Sequence, residues 1–170
     1  MAHAGLPHHA GVFLIVPSDI KPNTWDVLLF GKSMGMGTIQ ATLPSVKVGY
    51  TEQSNLAAQR ILLNETIGAP KLFPYCNFAE LPYVTFNTRH TSLRVYLMVL
   101  PRGHYCTAFN SSIGPDTLSI FLRRFPLRNL RAAKDTYMCK DENGNIVNIP
   151  FRTIEAVQQM TKAGYLENMV

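Results

Sequence analysis

Residues 43–68 read Leu43-Pro-Ser-Val-Lys-Val-Gly-Tyr-Thr-Glu52-Gln-Ser-Asn-Leu-Ala-Ala-Gln-Arg60-Ile-Leu-Leu-Asn64-Glu65-Thr-Ile-Gly68. From Ser54 the pattern is helical: Ser54 can serve as N-cap, Ala57 and Ala58 come early, and apolar residues at 56, 63 and 67 form one stripe. Gly68, followed by Pro70, supplies the stop, so the spacing predicts a helix over 54–67.

Working outward, Gly11–Pro17 and Trp25–Phe30 are apolar, β-branched-rich runs separated by the turn-forming segment 18–23, and both read as strands. Glycines at 31, 35 and 37 fit neither spacing of a phosphate-binding loop, so 31–37 reads as a hairpin connection to a short strand over Thr38–Leu43. After the helix, Tyr83–Phe86 and Ser92–Leu100 read as strands, and a helix is predicted through Leu118, Phe121 and Leu122, broken before Pro126. Tyr137–Lys140 and Ile146–Ile149 flank Asn143-Gly144, the strongest hairpin signal in the chain. A last helix runs from Thr153, as cap, to Ala163, with Gly164 as terminator. Strands with interspersed helices imply a mixed sheet covered by helices.

The 43–68 stretch resembles the Nudix box, which runs Gly, five residues, Glu, seven residues, Arg-Glu, an aliphatic residue, any residue, Glu-Glu, any residue, Gly. Glu52 is followed by seven residues and Arg60, Leu62 is the aliphatic position, and Glu65 takes the second place of the Glu pair. The resemblance covers roughly residues 11–165 and implies an α/β fold, a Nudix-like α/β/α sandwich with a mixed sheet. It implies one domain over 11–170 behind a flexible tail of residues 1–10. In the family, box carboxylates at i, i+3 and i+4 of the helix share a face and hold Mg²⁺ against a diphosphate. Here those places are Ile61, Asn64 and Glu65, Ser45-Val46 replace a Gly-Gly pair, and Ile67 stands where the terminal Gly belongs. Two readings follow. Glu52, Arg60 and Glu65 are an active-site remnant, supplemented by a carboxylate such as Glu80, with Glu65 and Glu52 holding Mg or Mn; or Glu52 and Arg60 form an internal ion pair that orders the loop, and Glu65 is solvated.

Within the family the chain is similar to the branch of the small RNA-binding subunit of mRNA 3′-end cleavage factor I, through the lone box Glu and through Leu81-Pro-Tyr-Val84 followed by Leu93–Leu100. Gln40 and Ala41 stand where that branch stacks aromatics on RNA bases, so its RNA sequence preference is not carried over. The resemblance implies a catalytically degenerate, nuclear subunit of an mRNA-processing assembly, without a cofactor, that binds RNA or a nucleotide and other protein subunits. It leaves room for a homodimer and for a cytosolic location. The alternatives are a divergent Mg- or Mn-dependent hydrolase of nucleoside diphosphate derivatives or capped RNA, and a protein-interaction scaffold.

Composition agrees with one globular domain: 170 residues, 46% hydrophobic and 16% charged, which excludes disorder and fibrous repeats. The net charge of +5 favours a polyanionic partner. No apolar run approaches the roughly 18 residues of a membrane span, and the first ten residues are not a secretory signal. Cys76, Cys106 and Cys139 are too dispersed for a zinc site and read as reduced, buried thiols. The charge excess gathers in an acid-free segment, where Arg123, Arg124, Arg128, Arg131 and Lys134 interleave with Phe125, a candidate RNA-binding patch by phosphate contact and stacking. The other reading makes the Phe residues core and the arginines a solvated face. His90 and His104, with Arg89 and Arg102, could line a cleft, and Tyr50, Tyr75 and Tyr83 could stack on a base or pack a sheet edge.

Overall fold

The computed structural model describes residues 8–33, 39–65, 79–100, 120–134 and 136–169, with backbone alone at 32, 33, 39, 61–65 and 120–123. In chain order the elements are β1 (His8–Pro17), β2 (Trp25–Ser33), β3 (Ile39–Thr42), β4 (Ser45–Lys47), α1 (Ser54–Glu65), β5 (Tyr83–Asn87), β6 (Ser92–Val99), β7 (Ile120–Pro126), α2 (Leu127–Ala132), β8 (Met138–Lys140), β9 (Ile146–Asn148) and α3 (Phe151–Lys162).

β1 is central, and its continuous apolar run has a physical reason: both faces are buried. Phe13 and Ile15 join the core that takes in Ile154, Val157 and Met160 of α3 and Leu127 and Leu130 of α2. Val12, Leu14 and Val16 point the other way, toward Ala57 and Ala58 of α1. The chain is therefore a helix–sheet–helix sandwich, and the sheet is mixed, since β1 pairs parallel with β6 and antiparallel with β2.

β1 and β2 pair only from Leu14↔Leu28 to Pro17↔Trp25 and then part. The gap is filled by a strand that changes partners: β3 pairs with β2, and after Leu43-Pro44 the chain continues as β4 against β1. The crossing is tight at Gly11, where a Cβ would lie 2.7 Å from Leu43 Cδ1 and 3.2 Å from the Pro44 carbonyl oxygen. Pro44 has no N–H to give, but its carbonyl accepts the Val12 amide at 3.0 Å.

Four expectations change. Residues 8–10 belong to β1 and not to the tail predicted over 1–10, because Ser92–Arg94 of β6 and Val46–Lys47 of β4 supply ladder partners. The helix predicted before Pro126 is strand β7, paired with β2 from Asp26↔Pro126 to Lys32↔Ile120; a full ladder outweighs local propensity. α1 has its first helical bond accepted by the Gln53 carbonyl from Ala57 N, which makes Gln53 the N-cap in place of Ser54. α3 begins at Phe151 behind Pro150, and Thr153 sits within its first turn. Gly164 ends that helix region at φ +81°, a conformation glycine reaches without strain. Asn143-Gly144 lies in a turn closed by Asp141, whose Oδ1 accepts the amides of Asn143 and Asn145 at 2.9 Å each.

Candidate functional site

The loop between β4 and α1 is fastened by one carboxylate. Arg60 donates from Nε to Glu52 Oε2 and from Nη2 to Oε1, both at 3.0 Å, and Nη2 also reaches the Lys47 carbonyl at 3.1 Å. The Gly49 amide donates to Glu52 Oε1 at 3.0 Å. Hydrogen bonds from Arg60 first, and from Gly49 second, hold the Glu52 carboxyl below its ordinary value. This is the ion-pair reading of the two residues: a bidentate clasp across one loop and the second turn of a helix. Both side chains keep solvent contact, so the clasp orders the loop more than it stabilises the fold.

Beside the clasp opens a cleft of about 440 Å³ lined by His8, Tyr50, Ser54, Thr85, Ser92 and Arg94. Strand register explains the gathering: His8 lies opposite Ser92, and Thr85 opposite Arg94, on the sheet face that α1 covers further along. Where the helix leaves off, polar side chains follow. The Arg94 guanidinium carbon sits 4.3 Å from the centroid of the Tyr83 ring, which in turn meets Tyr96 at 5.5 Å and 54°. Tyr50 on the loop is fully exposed. The cleft thus combines a cation held over an aromatic ring, an exposed tyrosine and short hydroxyls, with Glu52 in its lining already charge-paired.

The basic segment divides. Arg124 has 11% of its side chain exposed and pairs with Asp26 at 2.9 Å, Asp19 at 3.2 Å and Glu142 at 3.6 Å, so it is spent inside the fold and is corrected as an RNA contact. Phe125 is completely buried and offers no face to a base, a second correction. Arg131 donates to the carbonyls of Met169 at 2.6 Å and Leu166 at 2.9 Å, tying down the segment after α3. Arg128 and Lys134 are exposed and line a groove between α2 and α3; for Arg123 only the backbone, in β7, is described. Sequence reasoning missed Arg94 and Lys162 as site residues. Arg94 could have been found by period-two reading beside Tyr96 and Ser92, whereas Lys162 joins the groove only through the packing of α3 on α2.

Among the described residues no three His, Cys, Asp or Glu side chains gather as metal ligands. Glu52 is engaged by Arg60, and of Ile61, Asn64 and Glu65 only the helical backbone is described. Glu80 is exposed in a turn ahead of β5. Arg89 and His90, at the β5–β6 turn, are exposed and border an open cleft of about 580 Å³ with Phe151 and Arg152. His104, Arg102, Tyr75, Cys76 and Cys106 lie outside the described residues. Cys139 is a buried free thiol, pushed up to about 12 by burial and by Asp141. No described helix is long and apolar enough to cross a membrane.

No protein-family model matches the sequence, and no curated protein does. Solved structures do. A MutT/nudix family protein from Listeria innocua superposes with a TM-score of 0.55 at 13% identity, over 97% of this chain and 98% of that one. The NUDIX domain of Shewanella oneidensis NrtR, solved with ADP ribose, gives 0.56 at 16%, over 95% and 90%. The C-terminal domain of mouse MUTYH, solved in complex with human PCNA, gives 0.55 at 13%, over 92% and 88%. At such identities the likeness concerns architecture, and with the mixed sheet between helices and the β4–loop–α1 unit it establishes that this chain has the Nudix fold.

Proposed function

We propose that this chain is a catalytically degenerate Nudix-fold domain that binds a nucleotide or single-stranded RNA in the cleft beside the β4–α1 loop without hydrolysing it, as a subunit of an mRNA-processing assembly. The observation that carries the reading is the Glu52–Arg60 clasp next to the Arg94–Tyr83 stack. An acid of the box is committed to a guanidinium, while the adjoining cleft offers what a base and a phosphate need: an aromatic face, a cation and hydroxyl donors. Ile61 and Asn64 supply no carboxylate at two of the three helix positions where a metal-dependent relative needs one. The fold neighbour solved with ADP ribose supports the nucleotide-binding part of the proposal.

The second reading, an Mg- or Mn-dependent hydrolase using Glu65 and Glu52, is favoured by the likeness to the Listeria MutT/nudix protein. The donor set fits it poorly, since both Glu52 oxygens accept hydrogen bonds from Arg60.

The test is fluorescence anisotropy with labelled uridine-rich and mixed-sequence oligoribonucleotides and with labelled ADP ribose, alongside turnover assays on dinucleotides and capped RNA with Mg²⁺ or Mn²⁺. Arg94→Ala and Tyr50→Ala should each weaken binding by about tenfold, the scale of one lost stacking contact. Unchanged affinity in both variants would remove the cleft, and turnover abolished by Glu65→Gln would establish the hydrolase reading instead.

A further inference from the structure

On the sheet face opposite α1, α2 and α3 enclose a groove of about 620 Å³. Its floor includes the buried aliphatic side chains Leu130 and Val157; around them stand Arg128, Arg131, Lys134 and Lys162, and no acidic residue is among the described residues of the lining. Arg128 in α2, Lys134 in the turn that follows it and Lys162 at the end of α3 are exposed. The guanidinium of Arg131 is held by the Met169 and Leu166 carbonyls, neither of which carries a formal charge. We propose that this groove docks an acidic peptide segment of a partner protein, with aliphatic side chains on the floor and carboxylates against the basic rim.

The chemistry of the lining selects this occupant. No aromatic side chain is among the described residues that line the groove, so a base has no ring within it to stack on. A single phosphate needs converging donors, whereas Arg131 already spends two of its nitrogens on carbonyls and the other three cations end long, solvated stems. A trough between two helices, with Ala132 and Thr161 over the buried Leu130 and Val157 and cations along it, matches an acidic segment in shape and charge.

The experiment is a selection from a random peptide library displayed on phage, run against the full chain and against Arg128→Glu/Lys134→Glu/Lys162→Glu. These three positions are exposed and can be reversed without disturbing the core, which circular dichroism and the melting temperature would verify. Selected peptides should combine Asp or Glu with Leu, Ile or Met, bind the wild type at least about tenfold more tightly than the reversed variant, and fade with salt. A basic version of a selected peptide should recover binding to the reversed variant. Arg94→Ala should leave peptide binding unchanged, which keeps this outcome separate from the fate of the RNA proposal. Selection of no acidic–aliphatic sequence, equal binding to both proteins, or displacement of the peptide by a uridine-rich oligoribonucleotide would each overturn the proposal.

Discussion

Arg124 gathers three carboxylates from three parts of the chain: Asp19 after β1, Asp26 in β2 and Glu142 in the β8–β9 turn. Asp26 has 6% of its side chain exposed, and burial raises its carboxyl above the ordinary value even with the guanidinium opposing. Removing the cation leaves a buried acid unpaired. Arg124→Met should therefore cost about 3–5 kcal/mol in urea unfolding, and Arg124→Met with Asp26→Leu should recover part of it. A loss under about 1 kcal/mol would mean that the cluster is solvated. None of this is legible in the sequence, where Arg124 reads as one of five cations, because its partners come from far along the chain. The Glu52–Arg60 clasp is the contrary case. Its two ends are eight residues apart, across one loop and the first two turns of one helix, and the ion pair is one of the two readings that the box residues offer.

Elements are legible where local pattern and tertiary pairing agree. β1, β2, β5, β6 and the β8–β9 turn follow from apolar runs and Asn143-Gly144, although β1 begins three residues before its run and β2 continues three residues past its own. β7 is not legible, because its strand state depends on the ladder with β2, nearly a hundred residues earlier. The start of α3 is misplaced for a related reason. Thr153 resembles a cap, yet its completely buried Oγ1 accepts the Leu43 amide at 3.2 Å, at the point where β3 turns toward β4. Thr153→Val keeps the shape and leaves that amide unsatisfied, for an expected loss of about 1–3 kcal/mol, while Thr153→Ser should lose less. At the same crossing, Gly11→Ala would press a methyl group toward Leu43 and Pro44; chemical denaturation should show a loss of about 1–3 kcal/mol. Wild-type stability in either Thr153→Val or Gly11→Ala would contradict the crossing as described.

Across the whole molecule, titration should show opposing signs. His9 is held below 6.5 by burial, then by Arg152 and Lys47, so its contribution is full above the ordinary histidine value and is lost as pH falls through the lower folded value. Glu52 behaves likewise further down, below 4.5. Asp26 and Glu142, raised by burial, act the other way: stability falls as pH rises from their ordinary values, 3.8 and 4.5, through the higher folded ones. The melting temperature should begin to drop on acidification below 6.5, and His9→Gln should move that onset to lower pH. An unchanged onset would show that His9 is not responsible.

At the same scale the fold places the cleft and the α2–α3 groove on opposite faces of one sheet, an arrangement suited to holding a nucleotide or RNA on one side and a partner on the other. The central claim, binding without turnover, is tested most directly by phosphorus NMR of ADP ribose and of capped RNA mixed with the protein and Mg²⁺. At least one of the two should show shifted or broadened ligand resonances that Arg94→Ala restores, and no new phosphate line should grow with time in either sample. Growth of a monophosphate line that disappears in Glu65→Gln would contradict it.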